Sequence, residues 1–179
     1  MTAAGDHRGQ IVGSPHSPPA EWALHWPSED DTRAFAQRLA MQPALRNAFI
    51  TLEGELGAGK TTLVRHLLRA LGVTGRIKSP TYAVVEPHQA GSLDIWHFDF
   101  YRFDDPREWE DAGFRDIFAG PGLKLAEWPA KAVGALPVPD LAISLQAGDD
   151  GSRHARIAAA TPCGLELLHG LRQDPPRTR

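Results

Sequence analysis

The sequence predicts an α/β fold, with a mostly parallel central sheet flanked by helices and a C-terminal antiparallel hairpin. Three observations predict it. The run Ala48-Phe49-Ile50-Thr51-Leu52-Glu53 is mainly apolar, as a strand covered on both faces of a parallel sheet must be. Directly after it, Gly54-Glu55-Leu56-Gly57-Ala58-Gly59-Lys60-Thr61-Thr62 reads as glycine, four residues, then Gly-Lys-Thr, and leads into Leu63, Val64, Leu67, Leu68 and Leu71 at helical spacing. Near the C-terminus, Asp140 to Gln146 and Arg153 to Ala159 read as two strands around the turn residues Gly148-Asp149-Asp150-Gly151. Strand, glycine loop and helix in that order make the architecture P-loop NTPase-like.

The loop carries its own chemistry. Glycines accept positive φ and have no Cβ, so successive backbone N–H groups turn inward into an anion-binding nest. The expected nucleotide-contacting set is Glu55, Leu56, Gly57, Ala58, Gly59, Lys60, Thr61 and Thr62. Lys60 reaches the β- and γ-phosphates of such a ligand, and the Thr61 hydroxyl ligates Mg²⁺. The helix that follows points its positive end at the same anion.

The other elements follow in chain order. Residues 1 to 20 are rich in Gly, Pro, Ser and His without apolar period and are expected to form a disordered leader. The ATPase-like domain is expected over 21–171, with 172–179 a frayed tail. Trp22 to Trp26 suits a short edge strand. Ser28 with Asp31 resembles a helix cap, and Ala34, Phe35 and Leu39 suit an amphipathic helix ending before Pro43. Lys78-Ser79-Pro80-Thr81-Tyr82 is a turn that suits a switch loop sensing the γ-phosphate through Thr81. Asp94 to Asp99 reads as a second strand of the sheet, ending in a carboxylate of the kind a phosphate-binding loop needs to position Mg²⁺ or its waters. Asp105 to Ala112 suits a helix with Trp109 inward and Gly113 ending it. Leu123 to Ala126 reads as a third strand, ending at Glu127-Trp128-Pro129. Pro162 starts a last helix carrying Leu165, Leu167, Leu168 and Leu171.

Bulk properties bound the function. A chain of 179 residues with net charge −3 has no global positive field to draw nucleic acid. The charge is locally segregated: Leu56 to Val85 holds no acidic residue, while Asp94 to Asp116 holds eight carboxylates against Arg102, Arg107 and Arg115. The first segment suits a polyphosphate site, and the second is ordinary acidic surface or a docking face for a basic partner. The lone Cys163 excludes an internal disulfide. No apolar run approaches membrane-span length and Met1 to Pro15 lacks a signal-peptide core, so the expected location is cytoplasmic.

Four separated motifs then read together: the loop at Gly54 to Thr62, Lys78-Ser79-Pro80-Thr81-Tyr82, His97-Phe98-Asp99-Phe100-Tyr101-Arg102 and Glu127-Trp128-Pro129. In this order they resemble the TsaE family, formerly YjeE, the bacterial ATPase of tRNA threonylcarbamoyladenosine synthesis. The likeness runs from about Ser28 to Leu171. It implies ATP and Mg²⁺ as cofactors and TsaB and TsaD homologues as partners, with tRNA reached through them. It also implies that Lys60 contacts phosphate, Thr61 and Glu127 bind Mg²⁺, Asp99 is the acid needed for hydrolysis and Thr81 belongs to a switch-like segment. Trp128 and Arg153 become nucleotide-site residues on the same ground. Phe100 and Ala130 depart from the family pattern, which has Leu and an acid there.

The residues alone leave other readings open. A small-molecule kinase would use the same loop but would add an Arg-bearing lid, for which no clear segment follows Trp128. A non-hydrolysing adaptor would use ATP only to select a binding-competent state. A GTPase is disfavoured because the guanine motif Asn-Lys-x-Asp is impossible: Asn47 is the only asparagine and precedes Ala48.

Overall fold

The computed structural model describes residues 20–103 and 113–173. Most of the expected leader, the expected helix Asp105 to Ala112 with Trp109, and the tail from residue 174 lie outside these residues. The described residues form one seven-stranded sheet in the order β1-β7-β6-β2-β5-β4-β3. The strands are β1 (Ala20–Trp26), β2 (Phe49–Glu53), β3 (Val85–Ala90), β4 (Leu93–Asp99), β5 (Leu123–Glu127), β6 (Leu141–Ala147) and β7 (Arg153–Ala159). The centre, β6-β2-β5-β4, is parallel, as expected. Three antiparallel pairings flank it, β1 with β7, β7 with β6 and β3 with β4, so the sheet as a whole is mixed.

Burial explains why the centre is parallel and the flank is not. Every residue of β5, and all of β2 but Glu53, is buried, because layers cover both faces. The strand β1 instead alternates between half-buried and exposed positions, as an edge strand with one wet face does. One layer contains α1 (Glu29–Ala40), α2 (Lys60–Ala70) and α4 (Pro162–Arg172). Their Phe35, Leu39, Leu63, Leu67, Leu168 and Leu171 pack with Ile50, Leu52, Ile95 and Leu125 of the sheet. The opposite face carries an aromatic cluster of Phe49, Phe98, Phe100, Phe103 and Phe114, joined by α3 (Phe114–Ala119). Ring centroids of Phe98 lie 5.3 Å from Phe114 and 5.0 Å from Phe118, distances at which aromatic pairs attract.

The local signals hold among the described residues with one exception. Asp31 reaches back to the Ser28 N–H at 3.0 Å, so an Asp closes the cap where Glu or Gln usually does. In α4, Pro162 is the first residue, and the Thr161 hydroxyl accepts from the Gly164 N–H at 3.0 Å. Gly113 adopts φ +69 immediately before α3 and caps its start; the helix it was expected to end lies outside the described residues. The exception is β3, which includes Pro87 and no apolar alternation; pairing with β4 at the edge of the sheet makes it a strand.

Candidate active site

Parallel strands end together, and the C-terminal ends of β2, β5 and β4 deliver the glycine loop, Glu127 and Asp99 to one edge of the sheet. The loop must pass close to β6. A Cβ on Gly54, where φ is +138, would stand 2.3 Å from the Leu145 carbonyl oxygen, so only glycine fits. Gly59, with φ +105, turns the chain into α2 at Lys60. A Cβ there would meet Arg153 Nε at 3.1 Å, which puts the Arg153 side chain against the loop.

A cleft of about 290 Å³ opens at this edge, lined by the loop together with Ser79, Thr81, Asp99, Glu127, Trp128 and Arg153. Lys60 is buried beside it. Its Nζ donates to the carbonyl oxygens of Gly54 at 2.6 Å and Glu55 at 2.9 Å and stands 4.0 Å from the Trp128 ring centroid. Burial pushes the ammonium below its ordinary range, while the charges of Glu127, Asp99 and Glu55 oppose that shift. Trp128 takes left-handed backbone, φ +58, which turns it off the end of β5; its N–H donates to Leu52 O at 3.2 Å and its ring lies 5.0 Å from Tyr101.

The acidic side of the cleft has two parts. The Thr61 hydroxyl lies 3.0 Å from both carboxylate oxygens of Glu127 and donates to them. Glu127 Oε1 also accepts from His97 Nε2 at 2.8 Å, and both partners are buried. Asp99 Oδ1 accepts from the Tyr101 N–H at 3.0 Å, while Oδ2 accepts from Thr81 Oγ1 at 2.8 Å and from the Ser79 hydroxyl. The segment between them ends at Val84, a β-branched residue held at φ +66 by its N–H bond to Pro80 O, 2.7 Å, and by accepting the Asp99 N–H, 2.9 Å.

All the sequence-expected residues meet at or beside this cleft. Leu56, Gly57, Gly59, Lys60, Thr61 and Thr62 line it together with Thr81, Asp99, Glu127, Trp128 and Arg153. Glu55 contributes its carbonyl oxygen, and Ala58 is buried behind the loop. Sequence reasoning assigned no role to Ser79, His97 or Tyr101. It also missed a second cavity of about 140 Å³ on the other side of Gly59 and Arg153, lined in part by Trp26, Glu29, Thr32 and Thr62. The residues from the start of α1 carry no motif, and only the packing of α1 beside α2 brings them to the loop.

The chemistry of the site suits a magnesium polyphosphate. A nest of loop N–H groups, the Lys60 ammonium and a helix start provide the anion side. Thr61 and Glu127 provide hard oxygen donors. Among the described residues no cluster of three or more His, Cys, Asp or Glu could hold a metal ion by itself. A cation here would draw its remaining ligands from phosphate and water, which is how Mg²⁺ ordinarily binds.

Fold and loop together define a P-loop-like α/β protein. The crystal structure of Bacillus subtilis YdiB superposes with a TM-score of 0.71 at 28% identity, covering 86% of this chain and 95% of that one. A sequence model of the threonylcarbamoyl adenosine biosynthesis protein TsaE matches residues 26–155. The tRNA threonylcarbamoyladenosine biosynthesis protein TsaE of Haemophilus influenzae is 38% identical over 136 residues, covering 76% of this chain and 85% of the relative. The Bacillus subtilis protein of the same name is 38% identical over 130 residues, covering 73% and 80%. The chain belongs to the TsaE family.

Proposed function

We propose that this protein is a magnesium-dependent ATPase of the cytoplasm that supports repeated threonylcarbamoyl modification of the adenosine next to the anticodon of tRNA. In this reading it acts with TsaB and TsaD homologues and reaches tRNA through them. The observation that carries it is the convergence of Lys60, Thr61, Asp99 and Glu127 on one cleft beside a glycine loop.

Each group has a task in phosphoryl transfer to water. Lys60 exchanges the carbonyls of Gly54 and Glu55 for phosphate oxygens, and Trp128 holds the ammonium near the cleft in the meantime. Thr61 and Glu127 would hold Mg²⁺, which when bound neutralises charge on the phosphates. Asp99 accepts a proton from, or orients, the attacking water once Thr81 and Ser79 release its Oδ2. Arg153, against the loop, contacts the phosphate chain, while Trp26, Glu29 and Thr32 suit the nucleoside half. Among the described residues, the cations lining the cleft are Lys60 and Arg153, so a partner that adds another accelerates hydrolysis.

One observation favours a second reading. Asp99 Oδ2 is already held by two hydroxyls, an arrangement that suits a nucleotide-gated adaptor in which hydrolysis plays no part. Incubation with ATP and Mg²⁺, alone and with the partner proteins, separates these. Phosphate released to water, faster with partners, supports the ATPase; a phosphorylated metabolite identifies a kinase; nucleotide binding without turnover identifies the adaptor.

A further inference from the structure

The buried imidazole of His97 has no task in the mechanism above. It lies on β4, level with Leu125 of β5 and Glu86 of β3, one step below the in-register pair Asp99 and Glu127. Strand alternation puts His97 on the same face as Asp99, towards α2. The residue is fully buried, its Nε2 stands 2.8 Å from Glu127 Oε1, and its Nδ1 is buried without a partner among the described residues. Glu127 as a carboxylate only accepts, so Nε2 carries the proton and donates it.

Packing does not account for this ring. A buried polar atom left unpaired costs about 1–3 kcal/mol, and an apolar side chain would fill the strand position without that cost. What the imidazole supplies is the bond to Oε1. Oε1 takes the His97 proton and shares the Thr61 hydrogen, whereas among the described residues Oε2 has only its share of that Thr61 hydrogen. The free lone pairs of Glu127 are thereby concentrated on the oxygen that remains available to a cation, and the rotamer of a long side chain is fixed in advance.

We propose that His97 is a positioning residue of the divalent-cation site: by donating from Nε2 to Glu127 Oε1 it orients the carboxylate and sets the affinity of the nucleotide site for Mg²⁺. The inference rests on the proposed role of Glu127 as a cation-binding residue. Such outer partners of a metal-binding carboxylate typically control metal affinity by about 10–100-fold.

The test measures binding of the non-hydrolysable analogue AMP-PNP to the full chain across a Mg²⁺ titration and, separately, in EDTA. The variants are His97→Leu, His97→Asn and His97→Gln, with Glu127→Gln as control and near-ultraviolet circular dichroism as the check on folding. A Gln amide nitrogen reaches the position of Nε2, and an Asn amide does not. The expected result is a 10–100-fold rise in the Mg²⁺ needed by the Leu and Asn variants, wild-type affinity in EDTA, and rescue of the Mg²⁺ dependence in the Gln variant. Should the Leu variant fail to fold, the contrast between Asn and Gln decides. Wild-type Mg²⁺ dependence in a folded Leu or Asn variant overturns the proposal, as does equal weakening in all three with loss of binding in EDTA. If Glu127→Gln leaves the Mg²⁺ dependence unchanged, the cation role of Glu127 falls and His97 falls with it. If that control shifts and His97→Asn does not, only the inference about His97 fails.

Discussion

Asp99 and Glu127 are in-register partners on the adjacent parallel strands β4 and β5, so both carboxylates leave the sheet side by side at the same edge. Their surroundings nevertheless differ. Asp99 is bonded by hydroxyls from the Ser79–Thr81 turn, and Glu127 by the Thr61 hydroxyl and the His97 ring. One faces a turn outside the sheet, and the other faces a helix and the buried sheet. That division is the basis for giving Asp99 the water and Glu127 the cation.

Asp99→Asn separates these roles. The amide keeps an oxygen for the Tyr101 N–H or the Thr81 hydroxyl but cannot take a proton. ATP turnover is expected to fall about 10²–10⁴-fold, the usual scale for loss of an acid–base group, with ATP affinity near wild type in an equilibrium binding assay. Full turnover in this variant would remove Asp99 from the chemistry.

Gly54→Ala tests the close passage of the loop against β6. The new methyl would stand 2.3 Å from Leu145 O at a φ of +138, so β6 or the loop must shift. Strain of this kind costs about 1–3 kcal/mol, with the clash added to it, and nucleotide affinity is expected to fall in the same variant. Gly57→Ala is the control: φ is +83 there but no atom of the described residues lies within 4 Å of the added Cβ, so its denaturation midpoint should move less. Equal shifts in the two variants would contradict the account of the contact.

Lys124 gives a pH test away from the cleft. It is buried in β5 with its ammonium donating to Gly120 O, and burial lowers its pKa from the ordinary 10.5, partly opposed by the charge of Asp140. Between the lowered folded value and 10.5 the unfolded chain binds more protons than the folded one, so stability rises with pH across that window. Below the window both states are charged and the burial penalty is felt in full. Relative to Lys124→Met, the wild type should therefore gain stability as pH climbs towards 10.5. Urea unfolding of both proteins at neutral and alkaline pH reads the difference, and a flat or falling one would contradict it.

Much of this site was legible in the sequence because its parts are local. The loop from Gly54 to Thr62 needs its residues in one continuous stretch, and the β2 run before it and the α2 period after it follow from burial. The hairpin β6–β7 is announced by turn residues. Asp99 and Glu127 could be placed at strand ends, but their registry could not, since it depends on pairing between strands some thirty residues apart in sequence. The same holds for His97: its place beneath Glu127 comes from the β4–β5 register alone. The edge strand β3 escaped because Val85–Ala90 has neither apolar alternation nor β-formers throughout; the backbone of β4 makes it a strand.

The most direct test of the central claim is reconstituted tRNA threonylcarbamoylation followed over many turnovers, with TsaB and TsaD homologues, ATP and Mg²⁺, and with or without this protein. The account predicts sustained modification only when the protein is present, and its loss with Lys60→Ala, which removes an ammonium contact worth about 1.5–3 kcal/mol. Sustained modification without the protein, or undiminished modification with Lys60→Ala, would contradict it.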